Sequence, residues 1–245
     1  ATCERAYRFC TEYERTFEIR KLNDTVRKHL QDHEKYYEQD LASGKKPFLI
    51  PLTADTYERH LDTRFMALAA ASGNQAEIVA CDVSRSRLSH MEPRAARLGV
   101  EGVRSLAVPA DQAPEELKNW ADRVLIDAPC SGTGTWRRSP DMRWRTSPET
   151  IAVYTREQDK LLDTAATMLR AGGRIIYAVC SVLESEGRAR VEAFLARYPD
   201  FQRLPIADIL GPELIARLGC DEDLVLTPKR HNMDGMYGAV LTRRP

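Results

Sequence analysis

The sequence has 245 residues, 43% hydrophobic and 29% charged, which is enough apolar content for one full core and rules out a disordered tail or a fibre. Thirty-six basic residues balance thirty-six acidic ones, so any contact with nucleic acid must come from local clusters and not from a global positive field. The six cysteines form no Cys-x-x-Cys pair, apolar runs such as 66–71 are far too short for a membrane span, and the N-terminal stretch lacks a signal peptide's apolar core; together these features predict free thiols in a soluble, cytoplasmic protein.

Residues 3–42 are charged and mostly free of breakers. Phe9, Tyr13 and Phe17, then Leu22, Val26 and Leu30, recur at helical spacing, which predicts one or two amphipathic helices packed on the main domain or a partner. A breaker cluster at 43–47 precedes a short apolar run at 48–52. From residue 77 the pattern alternates between strands and helices. Strands are predicted over 77–81, 103–108, 123–126 and 174–179, and helices over 85–98, 149–169 and 184–198, the long one stopped by Gly172-Gly173. Two final runs, 224–226 and 236–242, suit an antiparallel pair at a sheet edge. The expected fold is therefore a doubly wound, mostly parallel α/β sheet with an antiparallel C-terminal edge over 63–245, preceded by a small helical segment over 1–62.

Asp82 follows the apolar run Ile78-Val79-Ala80-Cys81 and precedes a helix. Open α/β sheets place there the carboxylate that accepts hydrogen bonds from ribose hydroxyls, although a helix cap is an equally ordinary use. Asp127 and Cys130 follow the strand at 124–126, and Cys180 ends the strand at 174–179. Two thiols and a carboxylate thus converge on the carboxyl edge of the sheet, where such folds hold ligands. A single cysteine there reads as a buried inert thiol; two at neighbouring strand ends do not.

CDVSRSRL at 81–88, DAPCSGTGTWRRSPDMRW at 127–144, YAVCSVLESEG at 177–187 and HNMDGMYGAVL at 231–241 resemble, in this order and spacing, the RNA cytosine-5 methyltransferases. That family includes the bacterial ribosomal small-subunit enzyme and the nucleolar Nop2 and Sun-domain proteins. The resemblance implies a Rossmann-like class I methyltransferase domain using S-adenosylmethionine on an RNA substrate, ribosomal or transfer. It implies Cys180 as nucleophile, Cys130 as the thiol that assists product release, Asp127 at the target base and cofactor, and Asp82 at the cofactor ribose. Arg137, Arg138 and Arg143, interleaved with Trp136 and Trp144, are candidates for RNA contact, with Arg145 beside them and Asp141 as a possible internal partner. No metal and a monomer are expected.

A thiolate suits this chemistry. Carbon 5 of cytosine is a poor nucleophile until a thiolate adds to carbon 6, and the same sulfur is a fair leaving group afterwards. One departure stands out. The family's glycine-rich first motif has no counterpart, since no glycine occurs between Lys45 and Gly73, and a bulky loop would hinder backbone approach to the cofactor. Either several residues are missing between Asp62 and Thr63, the favoured reading, or 1–62 is a different module and the domain is a cofactor-deficient RNA-binding scaffold.

Overall fold

The computed structural model describes residues 48–51, 77–89, 93 and 103–245. The helices expected over 3–42, the end of the helix expected over 85–98, and the glycine-free stretch at 59–68 lie outside the described residues. The chain divides into two compact units.

In the smaller unit, β2 (Ile78–Asp82) and β3 (Val103–Ala107) are parallel, Ile78 opposite Val103 and Asp82 opposite Ala107. All five β2 residues are buried, as a continuous apolar run in a parallel sheet requires. Helix α1 (Arg85–Ser89) starts directly after it. The Ser84 hydroxyl accepts the Arg87 N–H at 3.3 Å, satisfying one of the amide donors that a helix start leaves open.

The larger unit is ordered β1 (Phe48–Pro51, of which residues 49–51 belong here), β4 (Ala121–Asp127), β5 (Leu169–Val179), β8 (Met236–Arg243) and β6 (Phe201–Leu204), with β7 (Leu224–Leu226) also on β8. β4 and β5 are parallel and joined through the 21-residue α3 (Pro148–Met168). Ser147 caps α3 by accepting the Thr150 N–H, and its own N–H donates to the Thr150 hydroxyl, with Pro148 at the first position. The helix buries Gln158, Leu161, Leu162, Ala165, Ala166 and Met168. It ends one residue earlier than expected and runs straight into β5, so Gly172 (φ 72°) and Gly173 lie within the strand and not at the helix stop.

The expected antiparallel C-terminal pair forms, Leu224 opposite Gly238 and Leu226 opposite Met236. β8 is more central than an edge, however. Its one side pairs with β5 from Tyr237 to Thr242, while β6 and β7 share the other, β6 along residues 240–243 and β7 along 236–238. Helix α4 (Arg188–Arg197) starts four residues later than the expected 184, because 183–187 form hydrogen-bonded turns instead. β6 and the short helices α5 (Ala207–Leu210) and α6 (Pro212–Leu218) were not anticipated. Two further short helices, α2 (Met142–Arg145) and α7 (Pro228–His231), lie in the polar connections. Among the described residues no helix is long and apolar enough to cross a membrane.

Phe194 of α4 is fully buried, stacked on Tyr198 at 4.7 Å and edge-on to Phe201 at 5.0 Å. It fastens α4 to β6. Phe194→Ala should cost about 3–5 kcal/mol in denaturant unfolding, with an unchanged order of strands by amide exchange.

Candidate active site

The register of β4 on β5 determines the site. Ile126 lies opposite Tyr177 and Asp127 opposite Ala178, and the Ala128 N–H extends the ladder by donating to the Ala178 carbonyl at 2.9 Å. Cys130 and Cys180 then leave the two strand ends together, and their sulfurs are 3.2 Å apart. Both are partly buried.

Three stretches of chain lock these ends. Gly132, in the left-handed region at φ 65°, turns the chain after Cys130. The Gly134 N–H donates to the Cys180 carbonyl at 3.0 Å, and the Gly235 N–H donates to the Gly134 carbonyl at 2.8 Å. A β-carbon on Gly134 would stand 2.0 Å from the Gly235 carbonyl oxygen, so only glycine permits this approach. Tyr237 packs across Gly187, edge-on to Tyr177 at 6.4 Å, and donates its hydroxyl to Asp223 at 2.8 Å. The terminal motif at 231–241 therefore buttresses the two cysteine loops from behind.

A residue that sequence reasoning missed joins the loops from within. Glu186 is fully buried, and its carboxyl oxygens accept the Ser131 N–H (2.8 Å), the Ser131 hydroxyl (2.5 Å) and the Ser181 hydroxyl (2.6 Å). Thr133 and Ser181 share a hydroxyl contact at 2.9 Å, and the Val182 N–H donates to Thr133 at 3.1 Å. Gln158 of α3 donates to the Pro129 carbonyl at 2.8 Å. The only sequence signal for Glu186 was an acid six residues after Cys180 at the start of a helix pattern, which also describes an ordinary solvated helix end.

The two thiols are not equivalent. Cys130 is pushed well above the ordinary thiol range, first by its hydrogen bond with Cys180, then by burial and by the charge of Cys180; the Gly132 amide opposes this and Glu186 adds to it. A sulfur that keeps its proton is the donor of the pair. Of the two sulfurs, Cys130 is thereby the one suited to keep its proton and donate to Cys180.

The remaining candidates sit as follows. Asp127 is the half-buried last residue of β4, three positions before Cys130. Asp82 ends β2 in the smaller unit, buried, accepting the Ser84 N–H at 2.7 Å and pairing with Arg87 at 2.7 Å. Arg138 pairs with Asp234 at 2.6 Å, Arg137 donates to the Asn232 side chain at 3.3 Å, and Arg145 pairs with Asp141 at 3.4 Å. Arg143 lies over the Trp144 ring, 5.8 Å from its centre, and Trp144 is 85% exposed. Among the described residues no three side chains gather into a metal site.

The model of the 16S rRNA methyltransferase RsmB/F family matches residues 63–242. The chain belongs to that family. It is 40% identical over 177 residues to ribosomal RNA small subunit methyltransferase B of Thermus thermophilus, covering 71% of this chain and 41% of that protein. It is 33% identical over 180 residues to the probable methyltransferase B of Synechocystis, covering 72% and 40%. The chain thus spans about two fifths of the length of these curated relatives. Among solved structures, NSun6 from Pyrococcus horikoshii with SFG superposes with a TM-score of 0.65 at 25% identity, over 81% of this chain and 48% of that one. The fold is accordingly the Rossmann-like methyltransferase fold expected. A second model, the TPR-like region of the eIF3a PCI domain, matches residues 1–73.

The contact between the thiols yields a pH prediction. With Cys180 replaced by Ala, the largest cause raising Cys130 is gone. The pH at which iodoacetamide alkylates Cys130 at half its maximal rate should therefore fall below that of the unaltered protein, read peptide by peptide by mass spectrometry.

Proposed function

We propose that this chain transfers a methyl group from S-adenosylmethionine to carbon 5 of a cytosine in RNA, ribosomal RNA being the first substrate to try. The observation that carries the reading is the 3.2 Å contact between Cys130 and Cys180 at neighbouring parallel strand ends. The relatives' names supply the substrate class.

Cys180 adds to carbon 6 of the base, and the displaced electron pair makes carbon 5 enamine-like. Asp127, the last residue of β4, would hold the base edge and offset charge gathering on the ring. S-adenosylmethionine supplies an electrophilic methyl group to carbon 5. Asp82, an acid at the carboxyl end of a parallel strand with a helix following, would accept the cofactor's ribose hydroxyls in addition to its contacts with Ser84 and Arg87, and SFG, an S-adenosylmethionine analogue, accompanies the NSun6 structure.

The second thiol completes the cycle. Once Cys180 is bonded to carbon 6 it no longer accepts a hydrogen bond or carries charge, so the chief causes holding the proton on Cys130 disappear. Cys130 can then lose its proton to solvent and, as a thiolate, take the proton from carbon 5. The electron pair left behind re-forms the ring double bond, and the carbon–sulfur bond breaks to return the Cys180 thiolate. Each cysteine therefore requires the other in the opposite protonation state.

RNA reaches the site past Arg137, Arg138, Arg143 and Trp144. A tryptophan so exposed, with a guanidinium over its face, is a stacking platform for an unpaired base.

Cys180→Ser should reduce transfer of labelled methyl groups to background, and retained activity would exclude Cys180 as nucleophile. Cys130→Ser should instead accumulate a denaturant-resistant protein–RNA adduct on gels. Trp144→Ala should raise KM for RNA about 5- to 100-fold, the worth of one stacked base, with kcat nearly unchanged in steady-state assays.

A further inference from the structure

Glu186 takes no part in the chemistry above, yet a fully buried carboxyl group is costly unless its oxygens are satisfied. Here neutral donors alone satisfy them. Among the described residues no lysine or arginine pairs with Glu186. An ion pair would have fixed the side chain to one partner. Instead the carboxyl group divides between two serines, each the immediate neighbour of a reactive cysteine: Ser131 after Cys130 and Ser181 after Cys180.

The strand ladder cannot do this work alone. Its last bond runs from the Ala128 amide to the Ala178 carbonyl, two residues short of each cysteine. Past that point Cys130 enters a glycine-containing turn and Cys180 the turns at 183–187, tied to each other from one side by the Gly134–Cys180 backbone bond and by Thr133. Glu186 sits across the gap with three contacts of 2.5–2.8 Å. It is anchored at its other end, where the Tyr177 hydroxyl donates to its backbone carbonyl at 2.6 Å. Gln158, also fully buried, holds the Pro129 carbonyl and reaches Glu186 at 3.5 Å.

We propose that Glu186 is a positioning residue that keeps the Cys130 and Cys180 sulfurs in contact by binding the serine beside each. Its consequence for turnover rests on the methyltransferase reading; its consequence for thiol geometry does not. The test therefore needs no RNA. Diamide takes two electrons and two protons from a pair of thiols only if the sulfurs can meet, so the rate of Cys130–Cys180 disulfide formation, read from the linked peptide by mass spectrometry, measures their contact.

Glu186→Ala should slow that rate about tenfold or more, as expected from losing several buried hydrogen bonds to a carboxylate. Glu186→Gln, which can accept from the Ser131 amide and donate to both hydroxyls, should restore it to within about threefold of the unaltered protein. The Ser131→Ala, Ser181→Ala double variant leaves the acid in place and should also be slow, which keeps the test open should Glu186→Ala not fold. Alkylation of Cys220, buried away from the site, must stay slow in every variant, so that a general loosening is recognised. The proposal is overturned if the folded alanine variants cross-link as fast as the unaltered protein, if Glu186→Gln is as slow as Glu186→Ala, or if Cys220 opens in step with the site.

Discussion

Parallel pairing of β4 with β5 is the constraint from which the site follows. The two strands are separated by about forty residues of sequence, and a long helix between them is what a right-handed parallel crossover demands. Because the pairing is in register up to Asp127 and Ala178, both strands end at one level. A slip of one residue would exchange the buried and exposed faces of β5. It would also part the two thiols. The alternation of buried and half-buried residues along 173–179 therefore keeps the two thiol-bearing strand ends level as well as the core packed.

Two residues of one type stand in different surroundings. Neither Cys130 nor Cys180 is distinguished by side-chain chemistry, and a metal or histidine is not needed to separate them. Contact is enough: two thiols at 3.2 Å share one proton far more easily than they shed two, in the way that paired carboxylates do. The sequence around Cys130, rich in turn-forming residues, holds the thiol that keeps the proton.

Much of this was legible in the sequence. Helix α3 announced itself by a 3.6-residue apolar stripe, and β2, β4 and β5 by short apolar runs followed by candidate site residues. Those signals are local. Glu186 was not legible, because its partners lie 55 and 5 residues away and an acidic residue near a helix start has an ordinary solvated explanation. β6, α5 and α6 escaped since 200–220 shows no sustained period of either kind. The insertion of β8 beside β5 could not be read either: an apolar run such as 236–242 shows that a strand is buried, never which strands flank it. The smaller unit showed its pattern at Asp82, but the Arg87 pairing, five positions along, follows no helical or strand spacing.

The place of β8 also carries a consequence for synthesis on the ribosome. β6 and β7 pair with β8, and Gly235, just ahead of β8, closes on Gly134. A growing chain that has reached Leu226 thus holds two short strands with no sheet to join and a cysteine loop lacking its backstop. Assembly must wait until residues 235–243 clear the exit tunnel. Such late, long-range closure slows folding, and it ties completion of the loops around the two thiols to a strand that follows both cysteines in the chain.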